Sequence, residues 1–401
     1  MARGVGVCHP RLVRDTTVDG VQDASPAGRA DPVYLDGAST LPLHPAARET
    51  LLAALDRGYA DPRRLHRAGR DARLLLDNAR AVIAECLDAR PDEIGFTGSG
   101  TDAVHLGLLG LVRARRGDGT APFGIAHAPV EHSSVLQAAR WLPDAPHALL
   151  EVDRTGRVDP DQVSAAARDA GVAVVALQAA NQEIGTRQPV DELDLPAGVP
   201  LFVDAAAAVG HDLLPRRWDA LAASAHKWGG PAGVGVLALR RGIRWTRPFP
   251  GEDGLDGDGF VNVPAALAAA AALQAVQTNQ VEVAARQHAL VDRLRTRIAA
   301  LPDVEVVGHP TERLPHLVTF SCLYVAGDEL VTALDRSGFA VASGSACTAS
   351  TLEPSHVLAA IGALTHGNVR VSLTAQTTEA DVDDFCAAVA ATLERLREGV
   401  L

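Results

Sequence analysis

The sequence predicts an α/β fold, with a large domain built on a mainly parallel sheet covered by helices and a smaller C-terminal α+β domain. From about residue 94 to residue 239, apolar segments of strand length alternate with segments of helical periodicity, which is typical of such a sheet. A stretch rich in glycine and aspartate at 248–262 interrupts this pattern, and helices and separate strands follow it. We therefore expect an arm at 1–32, a large domain at 33–280 and a small domain at 281–401.

The individual elements follow from local periodicity. Before the break, helices are predicted where apolar residues recur every three or four positions, at 45–57, 71–88, 102–113 and 133–141. Strands are predicted at the short apolar runs 94–97, 124–128, 149–152, 172–178, 200–204 and 234–239. After the break, helices are predicted at 264–277, onward to about 300, at 328–337 and at 379–397, and strands at 304–307, 317–321 and 368–373. Residues 1–32 are polar and lack periodicity, so we expect a mostly flexible arm.

The composition excludes several classes of function. A formal net charge of −12 argues against nucleic acid as the primary ligand, because phosphate binding needs a basic surface. The chain has no run of about 20 uninterrupted apolar residues, so a membrane role is not expected. Five cysteines without a C-x-x-C pair, and an N-terminus without an apolar signal segment, predict free thiols in a cytoplasmic protein and no metal site.

A single lysine, Lys227, occurs among the 37 basic residues, and all the others are arginine. Arginine does not lose its proton in proteins, so a position that needs a neutral amine must keep lysine. This makes Lys227 a candidate functional residue. A solvent-exposed lysine kept by chance is the alternative at this point.

Two motifs indicate where a ligand binds. Residues 96–102 form a strand, a glycine turn and a helix start, so backbone N–H groups at Gly100 and Thr101 could bind an anion. A plain turn is the alternative. Asp204 ends the apolar run 201–204, at the edge of a parallel sheet where ligands bind. Its carboxylate needs a cation there, such as a protonated pyridine nitrogen, unless it only caps a helix.

The residues around Lys227 favour one cofactor. Ser224 and His226 lie within three positions of the lysine and suit a phosphate group beside the same amine. A lysine that forms a Schiff base must be partly neutral, which burial near other cations favours. Together with Asp204 and the glycine turn, this set makes pyridoxal phosphate (PLP) the natural cofactor.

Three further residues are candidates for chemistry. Cys347 lies in a segment of small residues at 342–348. Such a segment is more typical of a nucleophilic cysteine than of a buried structural cysteine. Arg370 lies within an alternating strand, where its planar guanidinium suits a carboxylate. His132 follows Glu131 at a strand-to-helix corner and suits ring stacking or proton transfer. An exposed arginine and a capping histidine are the alternatives.

These segments together resemble the cysteine desulfurases of the aminotransferase class V family, which have the PLP-dependent transferase fold type I. The resemblance runs from about Tyr34 to the C-terminus and is greatest for the short-loop first group of these enzymes. It is carried by the segments 34–40, 65–70, 96–102, 131–132, 181–185, 203–205, 224–227, 343–347 and 352–355.

The resemblance implies a role for each matching residue. Lys227 would bind PLP covalently, Asp204 would pair with the ring nitrogen, and His132 would stack on the ring and assist proton transfer. The phosphate would be held by four residues: Gly100, Thr101, Ser224 and His226. Gln182 would lie near the ring oxygen and contact the substrate, together with Asn181 and Arg370. Cys347 would attack the substrate sulfur.

The implied activity is conversion of L-cysteine to L-alanine, with a persulfide on Cys347 that passes to an acceptor protein or a small thiol. A homodimer is implied by the resemblance alone. Three segments depart from the family pattern: Ala207 replaces a glutamine, Phe260 replaces a threonine that reaches a partner's phosphate, and residues 228–233 lack the usual second lysine. A PLP-dependent carbon–sulfur or carbon–selenium lyase, another class V enzyme, or a non-catalytic sulfur-relay protein are the alternatives.

Overall fold

The computed structural model describes residues 32–57, 60–116, 123–142, 145, 148–251, 254–256, 259–343 and 354–398. The arm predicted at 1–32 therefore lies outside the described residues, apart from Pro32. None of the described helices is both long and apolar enough to cross a bilayer.

The strands of the described chain fall into three sheets. They are Val33–Tyr34 (β1), Ile94–Thr97 (β2), Gly124–His127 (β3), Ala148–Leu149 (β4), Val172–Gln178 (β5), Leu201–Asp204 (β6), Ala220–Ser224 (β7), Gly235–Leu239 (β8), Val304–Val307 (β9), Leu317–Cys322 (β10), Phe339–Ala340 (β11) and Asn368–Ser372 (β12). The helices are Pro45–Asp56 (α1), Arg67–Cys86 (α2), Gly100–Arg116 (α3), Ser133–Arg140 (α4), Pro160–Ala166 (α5), Val263–Thr278 (α6), Gln280–Ala299 (α7), Gly327–Arg336 (α8), His356–Ala360 (α9) and Glu379–Glu398 (α10).

The large sheet has the strand order β2-β8-β7-β6-β5-β3-β4. The neighbours from β4 to β7 run parallel, and β8 is antiparallel to both β7 and β2. Side chains on one face pack against α3 and α4, and those on the other face pack against α2, α5 and α6. The predicted mainly parallel sheet covered by helices is confirmed.

Two differences from the expected elements have clear physical reasons. Strand β7 was not predicted, because four of its five residues are alanine or serine, which have little intrinsic preference for strands. Its place between β6 and β8 buries it completely, so the sheet decides its conformation. Helix α2 begins four residues earlier than predicted, where the His66 ring accepts the N–H of Gly69 and caps the helix.

A smaller sheet, β12-β10-β9, packs with α7, α8 and α10 around a second core. The segment at the start of the described chain belongs to this core, because Leu35 is fully buried in it and β1 pairs with β11. A small α+β unit is therefore present, and it includes a segment from the opposite end of the sequence.

A buried ion pair joins this N-terminal segment to the small sheet. Arg370, in the middle of β12, is fully buried, and its Nη2 lies 3.1 Å from Asp36 Oδ1. The same nitrogen donates to Ser39 Oγ at 2.5 Å. The contact therefore connects residues more than 330 positions apart along the chain.

Replacement of Asp36 by asparagine is expected to lower the free energy of unfolding by about 3 kcal/mol, because it leaves the Arg370 guanidinium buried without a counter-charge. Asp383→Asn is the matched control, since it breaks an exposed ion pair with Arg293 of 2.6 Å and is expected to have a much smaller effect. Urea unfolding followed by circular dichroism measures both variants. Equal effects of the two substitutions would contradict this account.

Candidate active site

Lys227 lies in a tight 3₁₀ turn, Ala225–Trp228, that directly follows β7. The turn ends at Gly229, which has a φ of 81°, a conformation that glycine adopts without strain. Trp228 anchors the turn, because it is completely buried and its Nε1 donates to the Ala269 carbonyl of α6 at 3.0 Å. The Lys227 ammonium donates to the carbonyl of Ala38. The turn thus fixes the lysine at the carboxyl edge of the large sheet.

A cavity of about 180 Å³ opens at this edge. Among the residues that line it are Ser99, Gly100, Thr101, His132, Gln178, Gln182, Asp204, Ala207, Ser224, His226 and Lys227. Strands β5, β6 and β7 all end beside it, as expected for a ligand site in a parallel sheet. Eight of the predicted site residues therefore share one cavity.

One end of the cavity is suited to an anion. Helix α3 begins at Gly100, so its first N–H groups lack helical acceptors and favour a negative ligand. A Cβ at Gly100 would lie 2.8 Å from the Cβ of Ser224, so only glycine permits this close approach. Ser224 Oγ lies 3.1 Å from His226 Nδ1, and burial, together with the charge of Lys227, lowers the pKa of that ring.

Three polar residues on the cavity wall carry a charge or a polar atom that no group among the described residues compensates, and this suits PLP. Asp204 is buried at the end of β6, its Oδ1 accepts the N–H of Ala206 at 3.0 Å, and no described cation forms an ion pair with it. Gln182 Nε2 and Gln178 Oε1 are buried atoms without a hydrogen-bond partner in the described structure. A buried carboxylate needs a cation, and a buried amide needs a partner, so this wall fits a protonated heterocycle with a polar substituent.

The hydrogen bonds of His132, which lines the cavity, determine which of its ring nitrogens carries a proton. Its Nδ1 caps α4 by accepting the N–H of Ser134 at 3.2 Å, and it lies 2.8 Å from the Ser134 hydroxyl. A backbone N–H can only donate, so Nδ1 carries no proton and the neutral ring carries it on Nε2. Burial lowers the pKa of the ring, and the opposing effect of Asp204 does not reverse this.

Two predicted substrate-binding residues lie outside the cavity wall. Arg370 is completely buried, and besides Asp36 its Nη1 donates to the Gln182 carbonyl at 3.1 Å. Asn181 is also completely buried, where its Nδ2 donates to the Val130 carbonyl and its Oδ1 accepts the N–H groups of the next turn. The structure therefore gives Asn181 a role in shaping the turn that carries Gln182. Arg370 stabilises the same turn through its hydrogen bond to the Gln182 carbonyl.

Cys347 lies outside the described residues. The described residues on either side of this segment form hydrogen bonds to residues close to the cavity. On one side Ala342 and Arg370 exchange backbone hydrogen bonds, of which the Arg370 N–H to Ala342 O is 2.7 Å. On the other side Ser355 Oγ donates to Glu183 Oε2 at 2.5 Å, next to Gln182.

Gln178 is a lining residue that the sequence analysis did not single out. It ends the apolar strand β5, and its register places it directly beside Asp204 of β6. The signal was the same as for Asp204, a polar residue at the carboxyl end of a buried strand. Among the departures from the family pattern, Ala207 lines the cavity, and Phe260 borders a separate cavity of about 140 Å³ beside Gly98.

The sequence and the fold both match known proteins. The model of the aminotransferase class-V family matches residues 33–251 and 257–385. The IscS-like cysteine desulfurase of Mycobacterium tuberculosis is 37% identical over 388 residues, which cover 92% of this chain and 98% of that protein. The chain belongs to the cysteine desulfurases of the aminotransferase class-V family.

Other relatives of this cysteine desulfurase agree with that assignment. The cysteine desulfurase IscS of Methanosarcina thermophila is 32% identical over 379 residues, which cover 91% of this chain and 93% of that protein. A solved structure of a NifS-like protein superposes with a TM-score of 0.82 at 26% identity, covering 91% of this chain and all of the other. The family expected from the sequence motifs is therefore confirmed.

Nitrogen-15 NMR of the histidine rings tests the state of His132. At pH 7.5 we expect its Nδ1 to be unprotonated and its Nε2 protonated, with a titration midpoint below the usual value near 6.5. Because the folded pKa is the lower one, unfolding takes up a proton, and this ring favours unfolding as the pH falls below about 6.5. A His132→Asn variant identifies the signals. A protonated Nδ1, or a midpoint above 6.5, would contradict the assignment.

Proposed function

We propose that this chain is a PLP-dependent L-cysteine desulfurase that releases L-alanine and keeps the removed sulfur as a persulfide on Cys347. The observation that carries the proposal is the position of Lys227, the chain's only lysine, in one cavity with Asp204, His132 and the start of α3. An amine, a buried carboxylate and an anion-binding helix end correspond to the reactive, ring-nitrogen and phosphate groups of PLP.

The lining residues would hold the cofactor at several points. The N–H groups at the start of α3, the Thr101 hydroxyl, Ser224 and His226 would bind the phosphate. Asp204 would accept the N–H of the protonated ring nitrogen, which neutralises a carboxylate that has no described cation partner. Gln182 Nε2 would donate to the ring oxygen, in line with its lack of a partner among the described residues.

The reaction divides between the cofactor and the chain. When bound, PLP draws electrons from the Cα of the substrate and so makes its Cα proton removable. Lys227 Nζ is the base that takes this proton. His132 keeps its Nε2–H directed as a donor, because Nδ1 is occupied by Ser134. Arg370 would bind the substrate carboxylate after a change in its contact with Asp36.

The sulfur step needs a nucleophile, which the family resemblance assigns to Cys347. Its thiolate attacks the substrate sulfur, so that a sulfur–sulfur bond forms and the substrate carbon–sulfur bond breaks. The sulfur is oxidised as the carbon is reduced and takes up a proton, and alanine leaves. The persulfide then passes its outer sulfur to an acceptor protein or a small thiol. The proposal includes a cytoplasmic homodimer, as the family resemblance implies.

A carbon–sulfur lyase is the second candidate, and Ala207 favours it. This residue lies on the cavity wall where the family pattern has a glutamine, so one contact to the ring oxygen is missing. A lyase would eliminate sulfide from cysteine and release pyruvate. It would not need Cys347.

Incubation of the protein with L-cysteine, PLP and a reducing thiol is expected to give alanine and sulfide in equal amounts. Lys227→Ala should abolish both products, and Cys347→Ala should lower their rate by at least about 100-fold, because each removes a group that forms a covalent bond in the reaction. Cys86→Ala, which changes a half-buried thiol away from the cavity, is the matched control and should retain full activity. Pyruvate with sulfide, or activity that survives Cys347→Ala, would establish the lyase instead.

A further inference from the structure

Two buried histidines stack behind the turn that carries Lys227. The ring centroids of His211 and His316 are 3.9 Å apart, and their planes differ by 19°. Neither residue lines the cavity, and their exposed fractions are 8% and 1%. His211 Nε2 lies 2.8 Å from the carbonyl oxygen of Lys227. His211 therefore contacts the backbone of the proposed catalytic lysine, and His316 stacks on His211.

The two rings come from different parts of the fold. His211 follows Gly210, whose φ of 82° and close approach to Trp228 bring this loop against the lysine turn; a Cβ at Gly210 would lie 2.7 Å from Trp228 Cβ. His316 directly precedes β10 of the small sheet, and its carbonyl accepts the N–H of Leu373 at 2.8 Å. The stack thus joins the small sheet to the loop that supports Lys227.

The chemistry of the contact fixes the protonation of His211. A carbonyl oxygen only accepts, so His211 Nε2 must carry a proton and donate it to Lys227 O. Burial lowers the pKa of His211 to about 4 and lowers that of His316 well below its usual value. At neutral pH both rings are therefore uncharged, and His211 is the Nε2–H tautomer. The contact does not add a positive charge beside the lysine amine.

If the side chain at position 316 only filled space, a histidine would be less favourable there than an apolar residue. Its Nδ1 is buried without a hydrogen-bond partner in the described structure, which an apolar side chain of similar volume would avoid. Its ring lies flat against His211 and restricts the rotation that would break the bond to Lys227. This geometry indicates a supporting role for His316 and a positioning role for His211.

We propose that His211 is a positioning residue for Lys227, and that His316 couples the small sheet to the lysine turn through the ring stack. The proposal rests on the proposed function, because that function makes the position of Lys227 important. It predicts that loss of the His211 donor loosens the turn, whereas loss of small-sheet packing elsewhere does not.

Hydrogen exchange of the full chain, as purified, tests the contact without reference to activity. The N–H groups of Gly229 and Gly230 bond to the Ala225 carbonyl and report opening of the turn. His211→Phe keeps a stacking ring and removes the donor, and we expect exchange at these two amides to rise about 10-fold, the effect of one lost buried hydrogen bond. His211→Gln places an amide donor at the same reach and should restore protection to within about threefold.

Phe385→Leu is the matched control for a weakened core. Phe385 packs edge-on against Phe339 in the small unit and does not touch the lysine turn. We expect it to lower the melting temperature without faster exchange at Gly229 and Gly230. With L-cysteine, His211→Phe should lower kcat about 10-fold and leave KM within about twofold, because the substrate contacts remain. Phe385→Leu should change neither constant.

Two results would overturn the proposal. One is exchange at Gly229 and Gly230 that is no faster in His211→Phe than in Phe385→Leu, and the other is a His211→Gln variant that behaves like His211→Phe. If His211→Phe does not fold, His316→Ala takes its place, and unchanged exchange in that variant also overturns the coupling. A wild-type protein without desulfurase activity that still shows the expected exchange pattern would contradict the proposed function and leave the positioning role standing.

Discussion

The buried charge of Arg370 determines how the chain is arranged around the cavity. A guanidinium that is removed from water costs several kcal/mol unless nearby groups compensate it, so the surrounding segments must supply acceptors. Asp36 supplies a carboxylate, and the Gln182 carbonyl supplies a further acceptor. Asp36 also belongs to the same turn as Ala38, whose carbonyl accepts the Lys227 ammonium. One arginine therefore orders both the lysine and the glutamine that face the cavity.

The sheet and most of its strands could be predicted because buried parallel strands are short apolar runs separated by helices. The prediction was incomplete at β7, because a run of alanines carries no strand signal and only its neighbours in the sheet impose the extended conformation. Lys227, which directly follows β7, was nevertheless singled out, because its chemistry is unique in this arginine-rich chain. The chemistry of a residue could therefore be recognised from the sequence even where the local conformation could not.

The candidate site shows the same division. Asp204, His132 and Gln182 were predicted from motifs, and they line one cavity because their strands and turns end at one edge of the sheet. The motifs could not show that the Asn181 amide binds the Val130 carbonyl or that Arg370 is enclosed with Asp36, since both contacts join residues far apart in sequence. The histidine pair could not be predicted either, because His211 and His316 are 105 positions apart and meet only where the two units of the fold pack together.

The central claim is that Lys227 binds PLP in the cavity at the sheet edge, and its single lysine gives this chain an unusually direct test. Borohydride reduces the carbon–nitrogen double bond between PLP and an amine to a stable link, so peptide mass spectrometry after reduction locates the cofactor. The chain's primary amines are Lys227 and the N-terminus. We expect one reduced cofactor per chain, on the peptide that contains Lys227. No adduct, or an adduct at the N-terminal amine alone, would contradict the account.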